Sequence, residues 1–550
     1  MDEVYLAGDV DSIKDYVFET SSLPQIRGGS ELLQRCEEHI KGRYGDRVIY
    51  CAGGAFLLKA ARDAAPAIKQ EIEQLYRDQT LVVTVTVVHE QGGFTTAALP
   101  SLEGLDGWAL RLARASERSY WAGEFPLRIA HLMARLREVK RSPQTSPFYQ
   151  AFPFGLRCNR CGKRMVVRLD PTKDDRLCPV CDLRDGEGRQ RQKDVHGRTV
   201  RGKFNQEFWQ RYGANFHAQQ PEDLDILVRE APRSYLAFLY ADGNDIGRLL
   251  GQARSEEDYR ALSAALTKGT REAVYSALAA TCGRALQQQQ WWPFDIVNIG
   301  GDDVTLLLQA GYAWQVAIEF LERFEQGVRS RAAEALLKVG ADSPQSITAS
   351  CAIVVADVKF PVRHMERLAS DLLKQAKDAA KRAGESQPAS ALTFLWLPAP
   401  IASDAARPLL STYEFRRDTE AVSLLARPYT LHQAKEILAL SVELARWPRS
   451  LRHRWREALA RGPLLSTSLI AYDLARRRQG QRQTMLRALE QLANLLPASA
   501  ASGPQLWPPV WTQERSSSTG IPLWRTALLD ALELAELHSL RPGWREEAEE

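Results

Sequence analysis

The chain has 550 residues, 45% of them hydrophobic and 25% charged, with a formal net charge of +4. At about 150 residues per domain this length holds roughly three or four domains, which sets small-scaffold explanations aside. The composition is that of ordinary globular protein, and the apolar runs, such as that around Leu81–Val88, fall far short of the ~20 residues that cross a bilayer. The acidic start Met1-Asp2-Glu3 does not read as a signal peptide, so export is not expected, and the net charge is too small for a nucleic-acid coat. The expectation is a cytoplasmic protein with no membrane span.

In chain order, Val4–Asp9 and Val48–Gly54 read as strands, the second running into a Gly-Gly turn. Two C-x2-C knuckles follow, Cys158/Cys161 and Cys178/Cys181, separated by sixteen residues. In a reducing compartment that spacing closes a tetrahedral Zn2+ site, and four thiolates leave no position open for catalysis. The other four cysteines are scattered. Arg184 to Lys203, rich in Arg, Gly, Gln and Lys, reads as a solvated linker. The middle then alternates: a strand at Tyr235–Tyr240, a helix over Leu262–Ala280, strands Asp295–Ile299 and Val304–Leu308 around a second Gly-Gly turn, and a helix over Trp314–Leu337. A strand at Ile347–Ala356, a helix over His364–Arg382 and a strand at Leu392–Leu397 complete a β-α-β-β-α-β ferredoxin-like plan with additions. Because Val4–Asp9 resembles Tyr235–Asp242 and Val48–Gly54 resembles Ile296–Gly301, half of the plan occurs twice. After a break near Pro398–Pro408, Ala434–Ala445 and Ser466–Leu496 carry the three- and four-residue spacing of amphipathic helices. Pro497–Gly520 reads as a long loop before one last helix, making the final third mostly helical.

The chemistry concentrates at Gly300-Gly301-Asp302-Asp303, between two apolar strands. The glycines permit a tight turn and a close approach of phosphate to backbone. In a ferredoxin-like sheet the first strand lies beside this hairpin, which brings Asp242 toward Asp302 and Asp303. Three carboxylates of that kind suit a pair of Mg2+ or Mn2+ ions serving an in-line displacement at phosphorus. Lys377 and Lys381, four apart on one helix face, are placed to meet a triphosphate. Taken alone, the tetrapeptide is also a good hairpin turn and the lysines a solvated face. Adjacent strand residues point to opposite faces, so which of Asp302 and Asp303 dominates stays open. Between Arg446 and Arg487 stand eleven arginines and two acids, with Trp447 and Trp455 among them; this surface suits either an RNA backbone or contacts with partner subunits. Trp291 and Trp292 are candidates for stacking on a base or for the core.

Asp242-Gly243-Asn244-Asp245-Ile246-Gly247, the Gly300–Asp303 hairpin and the Ala376-Lys377 helix together resemble the cyclase palm of the Cas-ten family, the large subunit of type III CRISPR effector complexes. Gly8–Phe18 followed by Arg27-Gly28-Gly29-Ser30 is similar to that family's first palm. The resemblance implies an α+β protein with two ferredoxin-like palm domains of the nucleotidyl cyclase and polymerase type, a zinc ribbon between them and a C-terminal helical domain. The expected boundaries are 1–150 for a degenerate first palm, 151–203 for the zinc ribbon and basic linker, 204–400 for the second palm and 401–550 for the helical domain.

The activity implied is synthesis of cyclic oligoadenylates from ATP, activated by target RNA. In that scheme Asp242, Asp302 and Asp303 are catalytic and hold Mg2+ or Mn2+, while Gly300, Gly301, Lys377, Lys381, Gly53 and Gly54 bind ATP. Cys158, Cys161, Cys178 and Cys181 hold structural Zn2+. The partners implied are guide RNA and target RNA within a multi-subunit complex, and a small helical subunit at the C-terminal domain. Asn244 departs from the family's aspartate and leaves the role of Asp245 open. Ala55-Phe56 replaces the hairpin acids in the first palm, which is therefore expected to bind the acceptor ATP. None of the nine histidines precedes an aspartate, so the family's nuclease head is expected to be lacking. Two other readings remain: a stand-alone cyclic nucleotide synthase, and a catalytically silent RNA-binding scaffold.

Overall fold

The computed structural model describes residues 3–90, 124–141, 154–171, 174–190, 192–193, 199–338, 347–383, 389–399, 403–417, 420–495, 506–515 and 521–544. Strands β1 (Glu3–Val10), β2 (Val48–Ala52), β3 (Ala55–Ala61) and β4 (Val85–His89) form a sheet in the order β2-β3-β1-β4. The period-two pattern of β1 decides which helices cover which face. Val4 and Leu6 pack with Ile26 and Leu33 of helix Leu23–Tyr44 and with Ile68 and Ile72 of helix Ala65–Thr80. Tyr5 and Ala7 point the other way, into the cluster that holds Ile129, Leu132 and Leu136 of helix Glu124–Arg141.

Short strands β5 (Arg168–Asp170) and β6 (Asp175–Leu177) pair beside the cysteines, and β7 (Gln192–Lys193) pairs with β8 (Thr199–Val200). The larger sheet comprises β9 (Tyr235–Gly243), β10 (Phe294–Gly300), β11 (Asp303–Gln309), β12 (Ala349–Asp357) and β13 (Ala391–Trp396). Its first four strands in space, β10-β11-β9-β12, repeat the order of the small sheet, and β13 adds parallel to β12. Leu239, Ala241, Leu306 and Leu308 face helices Glu256–Gln288 and Ala310–Lys338, while Phe238, Tyr240 and Leu307 share the cluster with helix Val362–Ala383. The long helix Glu256–Gln288 starts at a capping box in which Ser255 and Asp258 satisfy each other's backbone donors.

The remaining strands are β14 (Glu414–Arg417), β15 (Glu420–Ser423), β16 (Tyr429–Thr430), β17 (Thr512–Arg515) and β18 (Pro522–Arg525). β16 extends the large sheet, and the other four form their own sheet, β14-β15-β18-β17. This corrects the expectation of a mostly helical final third with a loop across Pro497–Gly520. Thr512–Arg515 lies inside that expected loop and pairs with β18, and these four-residue strands are too short for the Pro- and Ser-rich surroundings to betray them. Residues 497–505 and 516–520 of that stretch lie outside the described residues. The helices Leu431–Ala445, Pro463–Ala475 and Gln479–Asn494 fall where the apolar spacing puts them.

A second correction concerns the linker. Pro179–Arg189 is a helix and its Arg184 is 0% exposed, donating from Nε to the Gln25 carbonyl at 3.0 Å and from Nη2 to the Val17 carbonyl at 2.7 Å. Backbone meets backbone there: a Cβ on Gly28 would lie 1.9 Å from the Arg184 carbonyl oxygen, and one on Gly188 would lie 1.7 Å from that of Pro24. Glycine and arginine, which read as solvent-loving, here serve close helix packing and buried carbonyls. Residues 191 and 194–198 of the expected linker lie outside the described residues.

The two sheets are locked together through their helices. Arg27, on helix Leu23–Tyr44, donates to Asp295 of β10, both side chains being at most 1% exposed, and to the Pro221 carbonyl at 2.9 Å. Ser30 Oγ donates to the Val297 carbonyl at 2.7 Å. In the reciprocal contact Arg260, on helix Glu256–Gln288, donates to the carbonyls of Val48 and Asp46. β2 and β10 each carry a register shift at the corresponding place, between Val48 and Tyr50 and between Ile296 and Asn298. Among the described residues no helix is long and apolar enough to cross a membrane.

Candidate active site

Asp242 lies near the end of β9, on the face that carries Phe238 and Tyr240. The pairing of Thr305 with Tyr240 and of Val304 with Ala241 brings the start of β11 alongside it. Asp303 is two residues from Thr305 and four from Leu307, so it shares the face of Asp242. Asp302 sits in the turn, and its Oδ2 would be 2.9 Å from a Cβ placed on Gly243. Asp303 Oδ1 accepts from Asn298 Nδ2 at 3.4 Å. The turn bends the two neighbours toward one strand end.

Charge accumulates there. Burial, then the Asp242 carboxylate, pushes the Asp302 carboxyl up to about 7. Burial, then Asp242 and Asp302, also raises Asp303 well above its ordinary range. Two cations answer. Lys377 Nζ donates to Asp242 Oδ2 and to the Gly243 carbonyl at 3.0 Å. Lys14, from helix Ile13–Val17 of the small-sheet half, lies 3.4 Å from the centroid of the Tyr240 ring and donates to Ser370 Oγ at 3.2 Å. Burial lowers its pKa, opposed by Glu366, Asp303 and Asp242. Lys381, one turn beyond Lys377, is exposed.

The Gly-Gly turns of the two sheets touch. A Cβ on Gly53 would stand 2.8 Å from the Gly300 carbonyl oxygen, and one on Gly300 would stand 2.7 Å from Gly53 Cα and 2.5 Å from Asp303 Oδ1. Gly53, Gly54 and Gly301 also have positive φ, at 64°, 80° and 70°. The close approach gained at Gly53 and Gly300 is to each other. Glu37 Oε1 accepts from Gly54 N at 2.7 Å and anchors the first turn, while Tyr50 Oη stands 3.0 Å from where a Gly301 Cβ would be. Lys14, Glu37, Tyr50 and Asn298 were not among the candidates from sequence. Lys14 lies within Gly8–Phe18, but nothing in its neighbours in sequence shows that it crosses to the other sheet.

Asn244 is buried between strands, donating to Thr348 Oγ1 at 3.0 Å and accepting from Ser350 Oγ at 2.9 Å. An aspartate would lose the amide donor, so the asparagine suits a strand-end brace. Asp245 is exposed, in the left-handed region at φ 52° ahead of helix Ile246–Leu250.

Among the described residues, Cys158, Cys161, Cys178 and Cys181 form the one group of three or more potential metal ligands whose atoms lie within 4.8 Å of one another. Cys161 and Cys178 Sγ are 3.8 Å apart, as two thiolates on one tetrahedral Zn2+ with ~2.3 Å bonds would be. The donor set fits a structural metal such as zinc. The three aspartates are a looser set of hard oxygen donors, of a kind that suits Mg2+ or Mn2+ completed by substrate oxygens.

Trp292 is 1% exposed and donates Nε1 to the Ala218 carbonyl at 2.9 Å, so it belongs to the core. Trp455 is 0% exposed and donates to Asp473 at 2.9 Å, with Trp447 edge-on against it. Arg454 pairs with Asp473 and Arg456 with Glu533, whereas Arg476, Arg478, Arg482 and Arg487 are exposed.

The architecture is that of a palm: a hairpin bearing acids beside a first strand that ends in a third, a nucleotidyl cyclase-like fold. Residues 235–384 match the family model for the Cas10/Cmr2 second palm domain. No curated protein matches the chain. Among solved structures, a Csm1-Csm4 cassette in complex with cA3 is 14% identical with a TM-score of 0.48, covering 98% of this chain and 70% of that one. The apo Csm1-Csm4 cassette is 15% identical with a TM-score of 0.48 and the same coverage, 98% and 70%. Csm1 of T. onnurineus is 15% identical with a TM-score of 0.44, again covering 98% and 70%.

Proposed function

We propose that the chain is the cyclase subunit of a type III CRISPR effector complex and joins ATP into cyclic oligoadenylates when target RNA is bound. The observation that carries this reading is the convergence of Asp242 and Asp303 on one face of a Cas10/Cmr2 palm, with Asp302 at the turn that touches the Gly53 turn of the other sheet. A divalent ion held by Asp242, Asp302 and Asp303 would supply Lewis-acid activation of a hydroxyl and charge for the phosphates. The small sheet, whose corresponding tip is Ala55-Phe56, holds the acceptor nucleotide beside the Gly53-Gly54 turn. Its 3′-oxygen attacks the α-phosphorus of the ATP on the large sheet; a P–O bond forms, the bond to the β-phosphate breaks, pyrophosphate leaves and the hydroxyl proton passes to solvent. Lys377 releases Asp242 and meets the triphosphate, with Lys381 one turn farther out. Lys14 supplies a second ammonium from across the interface.

Zn2+ on the four cysteines would tie the Cys158–Cys161 turn to the start of helix Pro179–Arg189, the helix that packs on Leu23–Tyr44. The exposed Leu464, Leu465 and Tyr472 of helix Pro463–Ala475, beside exposed arginines, offer a face to a small helical subunit, and guide and target RNA approach through the assembled complex. The domain boundaries 1–150, 151–203, 204–400 and 401–550 stand with this reading.

The test is incubation with ATP and Mg2+ or Mn2+, with and without guide and matching target RNA, products being read by mass spectrometry. Cyclic adenylates that require target RNA are expected. Product without RNA would favour a stand-alone synthase, and none from an intact complex would favour a silent scaffold.

A further inference from the structure

The two halves share a feature that the hairpin acids do not predict. Near the end of the large sheet's first strand, Lys377 Nζ bonds the carboxylate of Asp242 and the carbonyl of the next residue, Gly243, at 3.0 Å. Near the end of the small sheet's first strand, Lys140 Nζ bonds the carboxylate of Asp9 and the carbonyl of the next residue, Val10, at 3.1 Å. Both lysines come from the next described helix after the fourth strand, Glu124–Arg141 after β4 and Val362–Ala383 after β12. Both helices lie on the face opposite the two helices of the ferredoxin-like plan. The side chains are comparably accessible, 25% exposed for Lys140 and 29% for Lys377.

We propose that Lys140 binds the triphosphate of a nucleotide held on the small sheet, as Lys377 does on the large one. The proposal rests on the nucleotide-joining function above and adds a residue to it. An ammonium on a flexible four-carbon stem, resting on a half-exposed carboxylate, can exchange that partner for a polyphosphate at little cost. Asp11, 3.6 Å from Lys140, is already held by the hydroxyls of Thr84 at 2.8 Å and Thr86 at 3.0 Å, so it does not depend on the lysine. With Ala55-Phe56 at its tip, this half has a phosphate handle without the acids that reaction requires. Lys140 is thus a binding residue for the half that does not carry out the chemistry.

The test uses the full-length unmodified protein with α,β-methylene ATP, whose bridging carbon blocks loss of pyrophosphate, and measures binding of this ATP analogue and of adenosine by calorimetry with Mg2+ present. Lys140→Ala should weaken one of two ATP-binding events roughly tenfold or more, the size of one charge-assisted contact. Adenosine binding and the melting temperature should be unchanged, and Lys140→Arg should restore most of the loss. Two ATP sites of unchanged affinity in Lys140→Ala would overturn the proposal, as would an equal loss of adenosine, which marks a structural role. Absence of any ATP binding before Lys140 is changed would instead overturn the nucleotide-joining function itself.

Discussion

The small and large sheets share strand order, bulge position, Gly-Gly turn and a lysine on the aspartate near the end of the first strand, yet one ends its hairpin in Ala55-Phe56 and the other in Asp302-Asp303. Paired halves therefore need not duplicate chemistry. One tip supplies carboxylates, and the other supplies a close glycine wall and a buried arginine clamp. The large sheet pays for its acids in electrostatic strain, since burial and then the Asp242 carboxylate raise both Asp302 and Asp303.

The largest expected effect is on that asymmetry. Asp303→Ala should lower the rate of product formation on the order of 10³-fold, comparable with removal of a principal electrostatic contact to a transition state, whereas Phe56→Leu in the other hairpin should leave the rate within a few-fold after correction for folded fraction. The clamp between halves comes next. Arg27→Met leaves the Asp295 carboxylate buried and uncompensated, which should cost about 3–5 kcal/mol in urea unfolding, and adding Asp295→Leu should recover part of the loss.

Smaller effects test the turns and the charge. Gly53→Ala places a methyl 2.8 Å from the Gly300 carbonyl at a φ of 64°, and should destabilise by about 1–3 kcal/mol. Gly42→Ala, in helix Leu23–Tyr44 with no heavy atom within 4 Å of the new methyl, should instead stabilise by about 0.4–1 kcal/mol. Asp302 gives a signal of a different kind, one that depends on pH. Its carboxyl, raised from 3.8 to about 7, holds a proton more tightly folded than unfolded. Its contribution to stability is therefore full below pH 3.8 and lost as pH rises through about 7. In metal-free protein, Asp302→Asn should flatten the fall in melting temperature across that interval, and Mn2+ should flatten it in the unmodified chain.

The strands and long helices were legible because their apolar periods are strong: Tyr235–Gly243 and the Val304–Leu308 run leave little choice. The cysteine spacing likewise gathered its four thiols in advance. Arg184 was not legible, because its burial depends on carbonyls of Val17 and Gln25 more than 150 residues away. β17 and β18 are four residues each, below the length at which alternation is informative. At the candidate site, Asp242 and the Gly300–Asp303 hairpin could be read from local pattern. Lys14 and Lys140 could not, because one crosses between sheets and the other reaches back to β1 from beyond residue 123.

The most direct measurement of the central claim is pyrophosphate release from ATP in the presence of target RNA, comparing the unmodified chain with Asp302→Ala/Asp303→Ala at matched folded fraction. Release by the first and background from the second is the predicted result. Equal release from both would contradict the assignment of the chemistry to the large-sheet hairpin.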